Sequence, residues 1–147
     1  MGRLLRTVVV LGTIFLISCS SDRKSSAGFS LPDGDPERGR TVFVALQCHA
    51  CHTVAGGGVP APVAQPSVPV VLGGKVHYAR TDGELAGAIV HPSYRLVVGY
   101  EREAVTCGGL SRMGDFTEAM TVRELIDLVA FLQSRHEIVN PPPPRVH

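Results

Sequence analysis

Cys48-His49-Ala50-Cys51-His52 is the stretch that decides how this chain folds. It has the order C-x-x-C-H, the attachment sequence of a c-type haem. Two thiols at i and i+3 reach the two vinyl groups of one porphyrin and become thioethers. The histidine directly after the second cysteine lies under the iron and binds it through a ring nitrogen. A structural zinc site needs four ligands, commonly a second C-x-x-C or a distant pair of histidines. The chain offers neither. A thioredoxin-like C-x-x-C follows a strand and has no need of the trailing histidine, whereas the residues before Cys48 are helical in pattern.

The compartment is read from the other end of the chain. Arg3 and Arg6 form a basic start, and residues 7–17 are a run rich in Val, Leu and Ile. That run is shorter than the roughly 20 residues a membrane span requires. It ends in Leu16-Ile17-Ser18-Cys19, which resembles the bacterial lipobox, with Ile17 a less usual member. Residues 1–18 are therefore expected to be a lipoprotein signal peptide and Cys19 the acylated new N-terminus. Two kinds of acyl attachment on one residue anchor firmly, where one chain alone binds marginally. A secretory signal cut nearby and an uncleaved anchor are the alternatives. Residues 19–32, rich in Ser, Lys, Arg and Gly, then serve as a flexible tether. Covalent haem attachment in bacteria takes place outside the cytoplasmic membrane. Export to the periplasmic side, with membrane attachment through lipid, is thus the expected location.

Beyond residue 18 there is room for one domain, placed at residues 33–136, followed by a proline-rich tail over 137–147. All thirteen Asp and Glu lie in the mature part, and so do all of the fourteen Lys and Arg but Arg3 and Arg6. That near-neutral balance excludes a nucleic-acid footprint. Lys24 and Lys75 are the only lysines, so a lysine-ringed docking face is excluded while an arginine ring stays open. Cys107 is left over once Cys19, Cys48 and Cys51 are assigned. Its expected role is that of a buried small hydrophobe, with a reactive thiol or intermolecular disulfide as the alternative.

Three helices are expected. Asp35 as N-cap and Pro36 at N1 open the first, which runs to about Cys48, with Gly39, Val42, Phe43 and Leu46 on its apolar side. Thr81 and Glu84 form a capping box for a second that stops at His91, because Pro92 follows. Thr121 and Glu124 form another, ahead of Leu125, Leu128, Val129 and Leu132 in a helix ending near His136. Residues 54–74 are Gly- and Pro-rich and read as an irregular loop along one haem edge. No convincing run of strands is present.

The iron's sixth position has two methionine candidates once Met1 leaves with the signal. Met120 stands at N′ of the last helix with Leu125 at N4, the pattern of a hydrophobic staple. Met113 lies in a loop with no such role, so Met113 is preferred and Met120 is the alternative. His77, His91 and His136 would give a bis-histidine iron instead; His91 is more simply a helix-end residue.

Together these residues resemble the class I c-type cytochromes over about Asp35 to Gln133. The matching parts are Gly39 and Phe43, the Cys48–His52 motif, the Met113–Phe116 loop and the Leu125–Leu132 helix. The resemblance implies an all-α fold, a small cytochrome c-like arrangement of helices around one covalently attached haem c. Its first and last helices cross, with Gly39 at the close approach and Phe43 near Phe131. It implies a proline carbonyl on the free nitrogen of His52, from Pro60, Pro62 or Pro66, with Pro62 preferred. It also places Pro92-Ser93-Tyr94-Arg95 near the haem. Tyr94 or Arg95 is then a candidate donor to a propionate, against a plain solvent-facing turn. The family's usual Met-Pro is here Met113-Gly114, which leaves the ligand loop looser. The implied function is single-electron transfer by Fe(III)/Fe(II) cycling with His52/Met113 ligation, not catalysis. The implied partners are redox proteins: a respiratory oxidase, a periplasmic oxidoreductase or a quinol-oxidising complex. The alternative is a haem enzyme subunit, or a gas- or small-ligand-binding haem protein with an open sixth position.

Overall fold

In the computed structural model, residues 29–62, 68 and 70–139 are described. The expected signal peptide, Cys19, most of the tether, Pro66 and most of the proline-rich tail lie outside them.

The first helix, α1 (Pro36–Ala45), starts as its sequence dictates. The Asp35 carboxylate accepts from the N–H groups of Glu37 at 2.8 Å and Arg38 at 3.1 Å, satisfying two donors that the helix itself leaves unpaired. The helix stops short of Cys48 because Gln47 takes a left-handed conformation, φ +57°. Leu46 N–H donates to the Val42 carbonyl and Gln47 N–H to that of Val44, which closes the last turn. The chain then tightens into a 3₁₀ turn over Cys48–Ala50.

Capping boxes open both other long helices. In α2 (Asp82–Val90) the Thr81 hydroxyl accepts from Glu84 N–H at 3.2 Å, and the Glu84 carboxylate accepts from Thr81 N–H at 2.9 Å. His91 caps its end, directly before Pro92. In α4 (Val122–Gln133) Thr121 and Glu124 repeat the exchange at 3.2 and 2.7 Å. Between them α3 (Arg102–Val105) is a single turn.

The core lies where α4 crosses α1. Phe43 and Phe131 are both fully buried, their ring centroids 5.5 Å apart and tilted by 56°. Such a pair contributes about 0.5–1.5 kcal/mol beyond the area it removes from water. Leu128, Val129 and Leu132 of α4, Leu85, Ala86 and Ile89 of α2, and Val54 complete the cluster. The crossing is close because Gly39 has no side chain: a Cβ there would meet the Phe131 Cβ at 2.7 Å and collide with the Asp127 backbone. Leu31 also packs on this core, and its N–H donates to the Asp82 carboxylate at 3.3 Å.

The fold is not all-α, and this corrects the sequence-based expectation. Six short strands form three two-stranded ladders among the described residues. β1 (His52–Val54) pairs in parallel with β2 (Val70–Leu72), His52 opposite Val70. β3 (Gly74–Val76) pairs in parallel with β6 (His136–Ile138). β4 (Thr106–Cys107) and β5 (Leu110–Ser111) make a hairpin turned by Gly108 and Gly109, both at positive φ. None exceeds three residues, too short for a period-two pattern to show in sequence. They exist because loop backbone needs hydrogen-bond partners. Half of them lie in the stretch 52–76, much of which reads as irregular. β6 also explains why α4 ends at Gln133 rather than near His136: Ser134 and Arg135 turn the chain into a strand. No described helix is long and apolar enough to cross a membrane.

Candidate functional site

The left-handed turn at Gln47 separates the attachment motif from α1. In the 3₁₀ turn Ala50 N–H donates to the Gln47 carbonyl at 2.9 Å and Cys51 N–H to that of Cys48 at 3.2 Å. Cys48 is half-buried and Cys51 is exposed. Burial pushes the Cys48 thiol above its usual range.

His52 opens β1, and the parallel pairing with β2 brings the Val70 carbonyl to its ring: Nδ1 to oxygen is 3.4 Å. Burial lowers the affinity of this imidazole for a proton, and the carbonyl works in the opposite sense. A neutral ring with Nδ1 turned to a carbonyl leaves Nε2 as the atom available to a metal. The expected partner was a proline carbonyl, Pro62 by preference. The observed one is Val70, and Pro60 and Pro62 do not line the site.

A cleft of about 400 Å³ opens beside the motif. Cys48, Cys51 and His52 line one part of it. Val70, Leu96, Val97, Val105 and Phe116 supply apolar wall, and Met113 lines the same cleft. Met120 does not; it is packed, like Leu125, against the hydrophobic core. Arg95 reaches the cleft and is paired with Glu84 at 3.3 Å. Tyr94 lies outside, 67 % exposed, its ring 5.8 Å from that of His91. His77, His91 and His136 do not line the cleft either. Cys107 is exposed at the tip of the β4–β5 hairpin, which corrects the expectation of a buried residue. A two-residue strand with a diglycine turn gives it nothing to be buried under.

Several contributors were not anticipated. Val70 acts through its backbone, so its side chain carries no signal. Ser111 and Arg112 matter through hydrogen bonds fixed by tertiary structure, and so does Ser93, whose stretch was expected near the haem but not for its hydroxyl. Leu96 and Val97 are apolar, but in a non-periodic stretch that reads as loop.

Among the described residues no three His, Cys, Asp or Glu side chains converge to hold a bare metal ion. The donor set instead suits a large planar group: two thiols on one turn for covalent attachment, an imidazole with one nitrogen engaged, a soft thioether and apolar walls. That set defines a haem-binding, electron-transferring domain of the c type.

A family model described as cytochrome c matches residues 36–136. The chain belongs to the cytochrome c family, whose members bind haem c covalently, one to a domain, and it is of the class I type. No curated protein and no solved structure matches it significantly.

Proposed function

We propose that this cytochrome is a lipid-tethered, single-haem electron carrier in which His52 and Met113 would ligate the iron. The observation that carries the reading is that Met113 shares the cleft with Cys48, Cys51 and His52 while Met120 is committed to the core.

Haem c supplies reversible Fe(III)/Fe(II) cycling when bound. The chain's residues do the rest. Cys48 and Cys51 would hold the group through thioether bonds. His52 donates Nε2, with its ring orientation set by the Val70 carbonyl. Met113 provides a soft, neutral donor that favours Fe(II) and so raises the potential above that of a bis-histidine site. The apolar wall of Val70, Leu96, Val105 and Phe116 would keep water from a bound haem iron. Arg95 and Arg112, which both line the cleft, are the cations available to a propionate.

Tethering rests on the order of basic start, short apolar run and Leu16–Cys19. A lipid on Cys19 would confine the carrier to the periplasmic side of a bacterial membrane and raise its effective concentration at membrane redox complexes. An oxidase, a quinol-oxidising complex or a periplasmic oxidoreductase are the partner classes that fit.

Visible spectra of the haem-loaded protein, oxidised and reduced, with and without CO, test the ligation. A methionine–iron charge-transfer band and indifference to CO are expected. A CO-reactive reduced protein would replace the carrier with a ligand-binding haem protein. Replacing Cys19 with Ser should release the protein from membranes; unchanged membrane association would remove the lipid anchor.

A further inference from the structure

Met113 enters the cleft from a loop with little stiffness of its own. Gly114 follows it, and a Cβ at that position would meet nothing within 4 Å. The Met113 backbone is nevertheless held. Its N–H donates to the Ser111 hydroxyl at 3.2 Å, a side-chain turn of the kind serine forms two residues ahead. The Ser111 N–H donates in turn to the Ser93 hydroxyl at 3.0 Å. Both contacts are partly buried. Ser93 belongs to a turn closed by Tyr94 N–H on the His91 carbonyl at 2.9 Å, and His91 caps α2. Leu85, Ala86 and Ile89 fix α2 in the core. From the other side Arg112 N–H donates to the Val105 carbonyl at 3.0 Å. An unbroken line of contacts thus runs from a core helix through two hydroxyls to the backbone of the methionine.

We propose that Ser93 and Ser111 are positioning residues, a two-hydroxyl relay that keeps Met113 in the cleft in place of any stiffness in the loop itself. The proposal rests on Met113 being the sixth ligand. A thioether is a weak donor, so its occupancy depends on the loop holding the sulfur near the metal, an effective-concentration effect. Each hydroxyl contributes a hydrogen bond that an external ligand must overcome when it displaces the methionine. The two act in series, because Ser93 reaches Met113 only through Ser111.

The test is an imidazole titration of the ferric, haem-loaded protein, followed through the methionine–iron band. Wild type is compared with Ser93→Ala, Ser111→Ala, the double variant, and Ser93→Thr and Ser111→Thr. Each alanine variant should bind imidazole about fivefold more tightly, the worth of one ordinary hydrogen bond. The threonine variants, which keep the hydroxyl, should return to the wild-type value. The double variant should show little more than the Ser111→Ala effect, as expected for groups in series. Wild-type imidazole affinity in both alanine variants overturns the relay, and so do fully additive effects. If the alanine variants do not fold, amide exchange in the reduced wild type decides. Ser111 and Met113 N–H groups exchanging about tenfold or more slower than exposed loop amides support the relay, and equal rates overturn it. A wild type without the methionine–iron band removes the ligation reading itself, a result distinct from an intact band that the serines do not influence.

Discussion

The Asp127 carboxylate, on the buried side of α4, accepts from Arg38 Nε of α1 at 2.9 Å. It also accepts from the second guanidinium nitrogen at 3.3 Å and from the Asp35 N–H at 2.8 Å. One acid thus ties the last helix to both the cap and the first turn of the first. Arg38 pairs with Asp35 as well, at 3.0 Å, and its side chain is largely open to solvent.

The Arg38 hydrogen bond, followed by the Asp35 N–H, holds the Asp127 carboxyl below the usual carboxylate range. A depressed native value means that the ionised form is favoured by folding. Its stabilisation is fully present above the unfolded value of about 4 and is lost as pH falls through the native one. Asp127→Asn should therefore lower the denaturant midpoint clearly at pH 7, and by less as the pH is taken below about 4 to pH 3. Equal losses at the two pH values would mean that ionisation of Asp127 is not what ties the helices.

Glycine plays opposite parts in two helices, and alanine substitution separates them. At Gly39 a Cβ meets the backbone of Asp127 and the Phe131 Cβ, neither of which can swing aside. Gly39→Ala gains roughly 1 kcal/mol of helix propensity but forces α1 and α4 apart, so a net loss of about 1–3 kcal/mol is expected. At Gly87 in α2 a Cβ meets nothing within 4 Å. Gly87→Ala should then be neutral or stabilising by up to about 1 kcal/mol. Chemical denaturation of both variants checks the contrast. A Gly39→Ala protein as stable as wild type would show that the crossing has room to spare.

What was legible in the sequence was local chemistry. Asp35-Pro36, Thr81 with Glu84 and Thr121 with Glu124 mark helix starts because a cap is made by residues within four positions of one another. The Cys48–His52 motif is legible for the same reason, and the neighbourhood of Phe43 and Phe131 came with the family resemblance. What escaped depends on partners distant in the chain. Asp127 is a charge inside an apolar stripe, made tolerable by an arginine from the other end of the domain. The acceptor for His52 is a backbone oxygen whose place is set by strand register. The short ladders and the one-turn helix α3 are too brief to impose periodicity, and that is why an all-helical reading failed.

Gln47 takes a left-handed φ of +57° between α1 and the attachment turn, the single non-glycine residue to do so among those described. The conformation costs an L-residue about 1 kcal/mol, most for a β-branched side chain. Gln47→Val should destabilise the haem-loaded protein by roughly that amount, while Gln47→Gly should leave it level or slightly more stable. Thermal unfolding of the pair measures the difference. A valine variant as stable as the glycine variant would mean that the turn relaxes without cost.

Met113 and Met120 stand seven residues apart in the sequence and carry separable burdens. Met113 lines the cleft with His52, whereas Met120 is half-buried against the core beside the start of α4. Met113→Ala should abolish the methionine–iron charge-transfer band and lower the reduction potential, with most of the fold's stability kept. Met120→Ala should leave band and potential in place and cost about 1–2 kcal/mol, below the range for a fully buried methionine because part of the side chain is already in water. Spectra and potentiometry report the first burden, denaturant melts the second. The reverse pattern, with the band lost only when Met120 is replaced, would require the 112–120 loop to reorganise on haem binding and would hand the sixth position to Met120.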